Sequence, residues 1–369
     1  MFNRLGRLGR YFTTASAQPK VPAPAMSLPS TVEALAIPRN GGVELIEKLT
    51  LPFPEPQPGN IVIKVDYAGV NFIDTYYRTG LYKYPSFPAI LGKESAGTIV
   101  ALPTDPNVLD DPGYKLQNFK IGDKVAADCL GSYATYISVA PKYVYPIPSS
   151  LSTRVAAAAA LQGFTAVTFT EEAYPVKKGD VILVHTVAGG LGLLFAQLIK
   201  AKGATVIGTT STPEKVELAK KHGADHVILY PVEDTVQRVL ELTNGEGVDA
   251  IFDGVGKDTF DNNFKMIKRK GTIVSVGNAS GPVEPFSILR LGAKNIKLLR
   301  PAMFNYIYTI EEAAHYGQEL FGKVDSGELK INIFKEYPFT AEGAAQAHSD
   351  LVGGKSTGKL LIKVNPDVE

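Results

Sequence analysis

"VILVHTVAGGLGLLFAQLIK", residues Val181 to Lys200, decides the fold. The apolar run Val181–Val184 reads as a buried strand, a glycine bend follows, and a helix starts near Gly190. A helix start exposes unpaired N–H groups and a partial positive charge, which makes it a place for an anion. The attraction is modest, about 0.3–1 kcal/mol at exposed sites and up to ~2 kcal/mol when partly buried. The dinucleotide pattern G-x-G-x-x-G is incomplete here. Gly189 and Gly192 are present, but the first glycine position holds Val187. Taken alone, this bend suits an ordinary strand–helix turn as well as a nucleotide site.

The neighbouring grammar favours the nucleotide. Strands "ATVIGTT", "HVILY", "VDAIFDGVG" and "GTIVSVGN" alternate with helices "PEKVELAKKHG" and Val236–Leu242. Repeated β-α units with continuously apolar strands predict a parallel, doubly wound Rossmann sheet over residues 156–301. Residues 28–155 read differently, as short strands such as "NIVIKVDYAGV", "GTIVAL", "GDKVAAD" and "SYATYISVA" punctuated by proline and glycine. "DPNVLDDPGYKLQNF" (105–119) reads as an exposed polar loop between strands, and "STRVAAAAALQGFTAVTFTEEAY" as a helix pair. Residues 302–369 hold two helices and the strand "KLLIKV", expected to return to the first, β-rich domain and close a split lobe.

Composition excludes several classes. Lysine plus arginine number 38 and aspartate plus glutamate 37, so no global charge draws the chain to nucleic acid or an anionic membrane. No stretch reaches the roughly 18 apolar residues of a membrane span. The single cysteine, Cys129, permits no intramolecular disulfide and no cysteine-cluster zinc site. The five histidines have no metal-ligand spacing, and His185 reads as a packing residue. The leading segment "MFNRLGRLGRYFTTASAQPK" carries Arg4, Arg7, Arg10 and Lys20, and the first acidic residue is Glu33. Phe2, Leu5, Leu8 and Phe12 gather on one helical face. Basic, hydroxyl-rich and acid-free, residues 1–27 read as a mitochondrial transit peptide and linker, so the matrix is the expected location, with the cytoplasm as the alternative.

The end of the second strand tests which dinucleotide is held. A carboxylate there would hold the adenosine ribose of NAD. The chain instead reads "GTTSTPEK", with Thr209, Thr210 and Ser211 and no acid before Glu214. Hydroxyls with Lys215 suit a 2′-phosphate, so NADPH is the expected cofactor. The same residues also make a good helix start, with Ser211 or Thr212 as cap and Pro213 in the first turn.

"NFIDTYYRTGLY", "VAGGLG", "DGVGKDTF", "SVGNASG" and "LLRPAM", in this order, resemble the medium-chain dehydrogenase/reductase superfamily. More narrowly, they resemble its zeta-crystallin-type NADPH:quinone oxidoreductases. The resemblance runs from about Leu35 to Val364. It implies an α/β fold, with a GroES-like β-rich catalytic domain beside the Rossmann domain. It also implies a homodimer paired through the nucleotide domains. The turn of that family reads A-A-G-G-V-G, so Val187 stands where alanine is usual.

Residue by residue, the resemblance places Asn71, Tyr76 and Tyr82 at the substrate and nicotinamide pocket. It places Thr165 near the nicotinamide ribose, and Gly189, Gly190 and Leu191 over the pyrophosphate. Ser211, Lys215 and Tyr230 fall around the 2′-phosphate, and Gly277 and Asn278 beside the carboxamide. A family arginine on the 2′-phosphate falls on Gly354, leaving Lys355 as its substitute. Bland alternatives stand beside these: Asn71 holding a turn, the tyrosines as core aromatics, Asn278 supplying a left-handed turn.

The zinc ligands of the alcohol dehydrogenase relatives fall on Asn71, Lys93 and Leu161, none of which suits zinc. Lys93 is open between the pocket and an ion pair in the neighbourhood of Glu94. Without a Lewis acid, ready hydride acceptors are favoured, quinones and conjugated enones, and the resemblance leaves hydride and single-electron transfer to the quinone both open. Two rivals remain. One is a mitochondrial 2-enoyl thioester reductase, with Tyr82 as proton donor; the other is an NADPH-binding crystallin-like or RNA-binding protein.

Overall fold

The structure, a computed structural model, describes residues 28–53 and 57–368. The expected transit peptide lies outside the described residues. Among these, a six-stranded sheet runs in the spatial order His226–Leu229, Thr205–Thr210, Val181–Val184, Val248–Asp253, Ile267–Ser275, Lys297–Leu299. Every pairing in it is parallel. The strand order reverses at Val181–Val184, whose neighbours come from the next strand on one side and from Val248–Asp253 on the other. That is the topological switch point, where a crevice opens beyond the strands' carboxyl ends and ligands of such sheets bind.

The second lobe is antiparallel and β-rich. Ile61–Val70 is its central strand, pairing with Glu94–Ala101, Tyr136–Val139 and the C-terminal strand Lys359–Lys363. The chain therefore leaves this lobe, builds the Rossmann domain and returns. A three-stranded sheet, Glu47–Pro52, Thr31–Ile37 and Ala89–Ile90, covers it. The whole is α/β, with a GroES-like lobe against a Rossmann lobe.

The helix Thr153–Thr168 joins the two. Ala156 to Ala160 are all buried and share one hydrophobic core with Phe164, Tyr67, Val184 and Phe252. Small side chains let this helix lie close to both the β-rich sheet and the helix Gly190–Ala201. The crevice walls are thereby set by packing, since both lobes share that core.

Two sequence expectations need correction. The helix pair over 152–173 is one α-helix that widens into a π-helical turn at Phe169–Ala173. Thr168 and Thr170 bond back to the carbonyls of Phe164 and Ala166, giving the widened turn side-chain partners. The loop 105–119 is two short helices, Pro106–Asp110 and Pro112–Gln117, which pack Tyr114 and Phe119 into the lobe's core. Asp105 and Asp111 each cap a helix that begins with proline, and this repeated Asp-Pro pair is a helix-start signal.

Candidate active site

The crevice begins at the glycine turn. Thr186, a β-branched residue, is held in the left-handed region at φ 54°, with its hydroxyl donating to the His185 carbonyl. Such a conformation is rare for this residue type and clusters at functional sites. Val187 fits without displacing the turn because it lies over Gly208 of the next strand. A Cβ at Gly208 would sit 2.3 Å from Val187 Cγ1. The bulk of valine and the bareness of Gly208 thus form one packing unit, and Val187 is fully buried.

Gly189 caps the helix Gly190–Ala201 with no side chain of its own to bond the first N–H groups. Those donors, from Gly190 and Leu191 onward, are left for an anion. Gly192 serves packing: a Cβ there would lie 2.4 Å from the Thr186 carbonyl oxygen and 2.7 Å from Val187 Cα. We expect Gly192→Ala to push the helix off its strand, lowering stability by about 1–3 kcal/mol and weakening dinucleotide binding. Thermal melting with and without NADPH checks both. An unchanged melting point and unchanged cofactor shift would refute this reading of the turn.

Beyond the end of the second strand, Lys215 Nζ donates to the Gly354 carbonyl at 2.6 Å and approaches Ser211 Oγ at 3.4 Å. Desolvation pulls the Lys215 ammonium below the ordinary lysine value. Thr212, not Ser211, is the helix cap, so Ser211's hydroxyl stays free of that duty. Tyr230 follows the neighbouring strand, its N–H bonded to the Thr210 carbonyl, with its ring half exposed. Lys355 does not join them. Its ammonium lies 3.6 Å from Asp350 and its side chain is largely exposed; the Gly354 carbonyl next to it instead accepts from Lys215 and so anchors that ammonium.

At the far end, the lobes meet through Tyr76. Its hydroxyl accepts the Asn278 backbone N–H at 2.9 Å, and burial pushes its phenol up from the ordinary tyrosine value. Gly277 must be glycine, because a Cβ would meet the Gly254 carbonyl oxygen at 2.7 Å. Asn278 is outside the left-handed region, so it does not serve the turn by that route. Thr165 turns its hydroxyl onto the Leu161 carbonyl, one turn back along its helix.

Tyr82 lies edge-on to both Tyr76 and Tyr77, at 5.4 and 5.6 Å, and Tyr77 continues to Tyr84 at 5.0 Å. These rings make an aromatic wall suited to a flat, conjugated molecule. Arg300 closes that end, a residue the sequence reading did not select although it lies in "LLRPAM". It donates to the Ser275 carbonyl at 2.7 Å, makes a long contact of 3.5 Å with the Tyr82 hydroxyl, and stands 3.3 Å from the Asn278 amide oxygen.

Asn71 occupies a different place from the one expected for a substrate ligand. It caps the helix Phe72–Thr79, is almost wholly buried, and its amide is engaged on both atoms. Nδ2 donates to Glu94 at 2.7 Å and Oδ1 accepts from Lys359 Nζ at 2.7 Å. Lys359 also contacts Glu94 directly, and Glu94 accepts the Leu161 N–H at 2.6 Å. Asp74, beside them, takes the Asn71 N–H and the Tyr133 hydroxyl. Burial raises Asp74 to about 7 and lowers Lys359 to about 7. This network fixes the helix that carries Tyr76 and Tyr77, so Asn71 is a positioning residue. Lys93 pairs with Asp128 at 2.5 Å, and Asp128 stands opposite Glu94 across their strand pair. Among the described residues, no group of three or more His, Cys, Asp or Glu side chains could hold a metal.

A Rossmann lobe facing a GroES-like lobe across an aromatic-walled crevice is the build of the medium-chain dehydrogenase/reductases. Family comparison agrees: residues 57–149 match the alcohol dehydrogenase GroES-like domain and residues 190–318 match the zinc-binding dehydrogenase family. The probable quinone oxidoreductase of Schizosaccharomyces pombe is 39% identical over 332 residues, covering 89% of this chain and 96% of the relative. The quinone oxidoreductase of Pseudomonas aeruginosa is 37% identical over 325 residues, covering 87% and 96%. The solved Escherichia coli quinone oxidoreductase complexed with NADPH superposes with a TM-score of 0.84 at 33% identity, covering 90% of this chain and 99% of that one. The chain belongs to the quinone oxidoreductases of this superfamily.

Proposed function

We propose that the protein is an NADPH-dependent, zinc-independent quinone reductase of the zeta-crystallin type. The observation that carries this reading is the pairing of Ser211 and Lys215 at the end of the second strand, where no carboxylate stands. The bare N–H groups beyond Gly189 fit the pyrophosphate, and Gly277 and Asn278 lie beside Tyr76 where the nicotinamide end would rest. Bound NADPH supplies a hydride. The protein's own residues bind, orient and exclude water. The helix start holds phosphate, Lys215 and Ser211 hold the 2′-phosphate, and the Tyr76–Tyr82–Tyr77 wall lays the acceptor flat. Arg300 and the Tyr82 hydroxyl hold a proton-bearing polar edge at the crevice mouth.

Zinc independence rests on the donor set. Asn71 is spent on Glu94 and Lys359, Lys93 is paired with Asp128, and Leu161 carries no donor in its side chain. NADPH consumption with 1,2-naphthoquinone, against crotonyl-CoA, in the presence of a chelator tests the reading. Quinone turnover untouched by chelation is expected. Turnover confined to the thioester would contradict it in favour of a 2-enoyl reductase.

Two further features belong to this proposal. Among the described residues the sheet edge Lys297–Leu299 has no partner strand on one side, and Ile288 and Leu289, which precede it in sequence, are 76% and 82% exposed. A second copy pairing along that edge would cover both, giving a homodimer; light scattering of the purified chain measures it. The basic leader supports a matrix location, which N-terminal sequencing of protein recovered from mitochondria would check. Among the described residues, no helix is long and apolar enough to cross a membrane.

A further inference from the structure

We propose that Lys93 is a catalytic residue whose ammonium holds the acceptor oxygen on which negative charge develops. The inference rests on the quinone-reductase reading above. Lys93 leaves the β-rich lobe just before Glu94–Ala101 and reaches the segment by which the chain leaves the Rossmann lobe. Its Nζ lies 4.0 Å over the ring of Phe304, four residues beyond Arg300. Tyr77, part of the aromatic wall, is close enough for its phenol to feel the Lys93 charge. The ammonium therefore stands on the same wall as Tyr77 and Tyr82, at the seam between lobes, deeper than Arg300.

The pair it forms with Asp128 is unequal. Asp128's side chain is 1% exposed, while 12% of Lys93's remains open. Among the described residues, Asp128 Oδ1 is the one hydrogen-bond partner of Nζ, and an ammonium carries three donors. Apart from that bond and the face of Phe304 beside it, no oxygen or nitrogen among the described residues takes its remaining donors. A pair kept only for stability has no use for them, since a well-packed apolar pair serves stability as well or better. A fixed cation with spare donors in a water-poor, aromatic-walled crevice is what a reaction that builds up an oxyanion uses.

The step balances as follows. NADPH gives up a hydride, two electrons and one proton, and is left oxidised as NADP+, and the hydride forms an O–H bond at one quinone oxygen. The ring aromatises, the second carbonyl π bond breaks, and its electron pair settles on the second oxygen. That oxygen lies against Lys93, which keeps its own proton. Water then supplies the second proton and the hydroquinone leaves. Asp128 orients the ammonium and keeps it charged against burial, and Cys129 and Tyr77 act in the same sense. Asp74, on the helix behind, is the remaining titratable group that feels this charge.

The test uses the full chain, NADPH and 1,2-naphthoquinone, with Lys93→Met, Lys93→Arg and Asp128→Asn. Lys93→Met should lower kcat/KM about 100-fold with NADPH affinity kept, its melting temperature falling because the buried Asp128 loses its partner, and Lys93→Arg should restore most of both losses. Asp128→Asn should lose activity toward alkaline pH where the parent's profile is flat, because the buried ammonium then gives up its proton more easily. These two variants carry the test if the methionine variant does not fold. Parental turnover with an unaffected Lys93→Met would overturn this role alone, as would a loss that tracks NADPH affinity. A parent that reduces no quinone would overturn the reading it rests on as well.

Discussion

Replacing Lys359 with methionine is expected to destabilise the fold by about 3–5 kcal/mol, because removing one partner of a buried ion pair strands the other charge. Lys359 and Glu94 are both essentially inaccessible, 1% and 0% exposed in their side chains. With the ammonium gone, Glu94 keeps only the Asn71 amide and the Leu161 N–H, and Asn71 Oδ1 loses its donor. The effect reaches function through geometry. Asn71 caps the helix Phe72–Thr79, so loosening it moves Tyr76 and Tyr77 together. Chemical denaturation measures the stability; a variant within about 1 kcal/mol of the parent would show that the network contributes little, as exposed pairs do. Lys359 also comes from the strand that returns after the Rossmann lobe, so the loss would loosen the attachment of the chain's end to Ile61–Val70.

The second large effect concerns cofactor choice. Lys215→Glu is expected to weaken NADPH binding about 100-fold, since charge-assisted hydrogen bonds contribute roughly 1.5–3 kcal/mol and a carboxylate adds repulsion. NADH, which has no 2′-phosphate, should bind nearly as before. The ammonium's contacts with the Gly354 carbonyl and the Ser211 hydroxyl use two of its three donors, leaving one for phosphate. Cofactor fluorescence titration of parent and variant with both nucleotides measures the effect. Equal losses for NADPH and NADH would mean that Lys215 supports the turn and does not read the phosphate.

Much of this architecture is legible in the sequence because its signals are local. "VILV" before a glycine bend, and apolar strands at βα spacing, specify a parallel sheet through side-chain periodicity alone. The missing first glycine becomes understandable only in three dimensions, where Val187 meets Gly208, a residue of another strand. The same holds for the buried network. Asn71, Glu94 and Lys359 are separated by up to 288 positions, and nothing near Lys359 in sequence marks its partners. Arg300 sits in a motif that the resemblance used, yet its contacts with Tyr82 and with Ser275 and Asn278 come from two distant segments. The helices at 106–117 are the opposite case. Two Asp-Pro starts stood in plain view, and the polar composition of the stretch outweighed them.

The central claim is that a phosphorylated nicotinamide dinucleotide lies across the Gly189–Gly192 bend with its 2′-phosphate on Ser211 and Lys215. Calorimetric titration of the full chain with NADPH and, separately, NADH tests it most directly. The account predicts one site per chain and a preference for NADPH of about tenfold or more, a difference of about 1.4 kcal/mol. Equal affinities for the two nucleotides, or no binding of either, would contradict it.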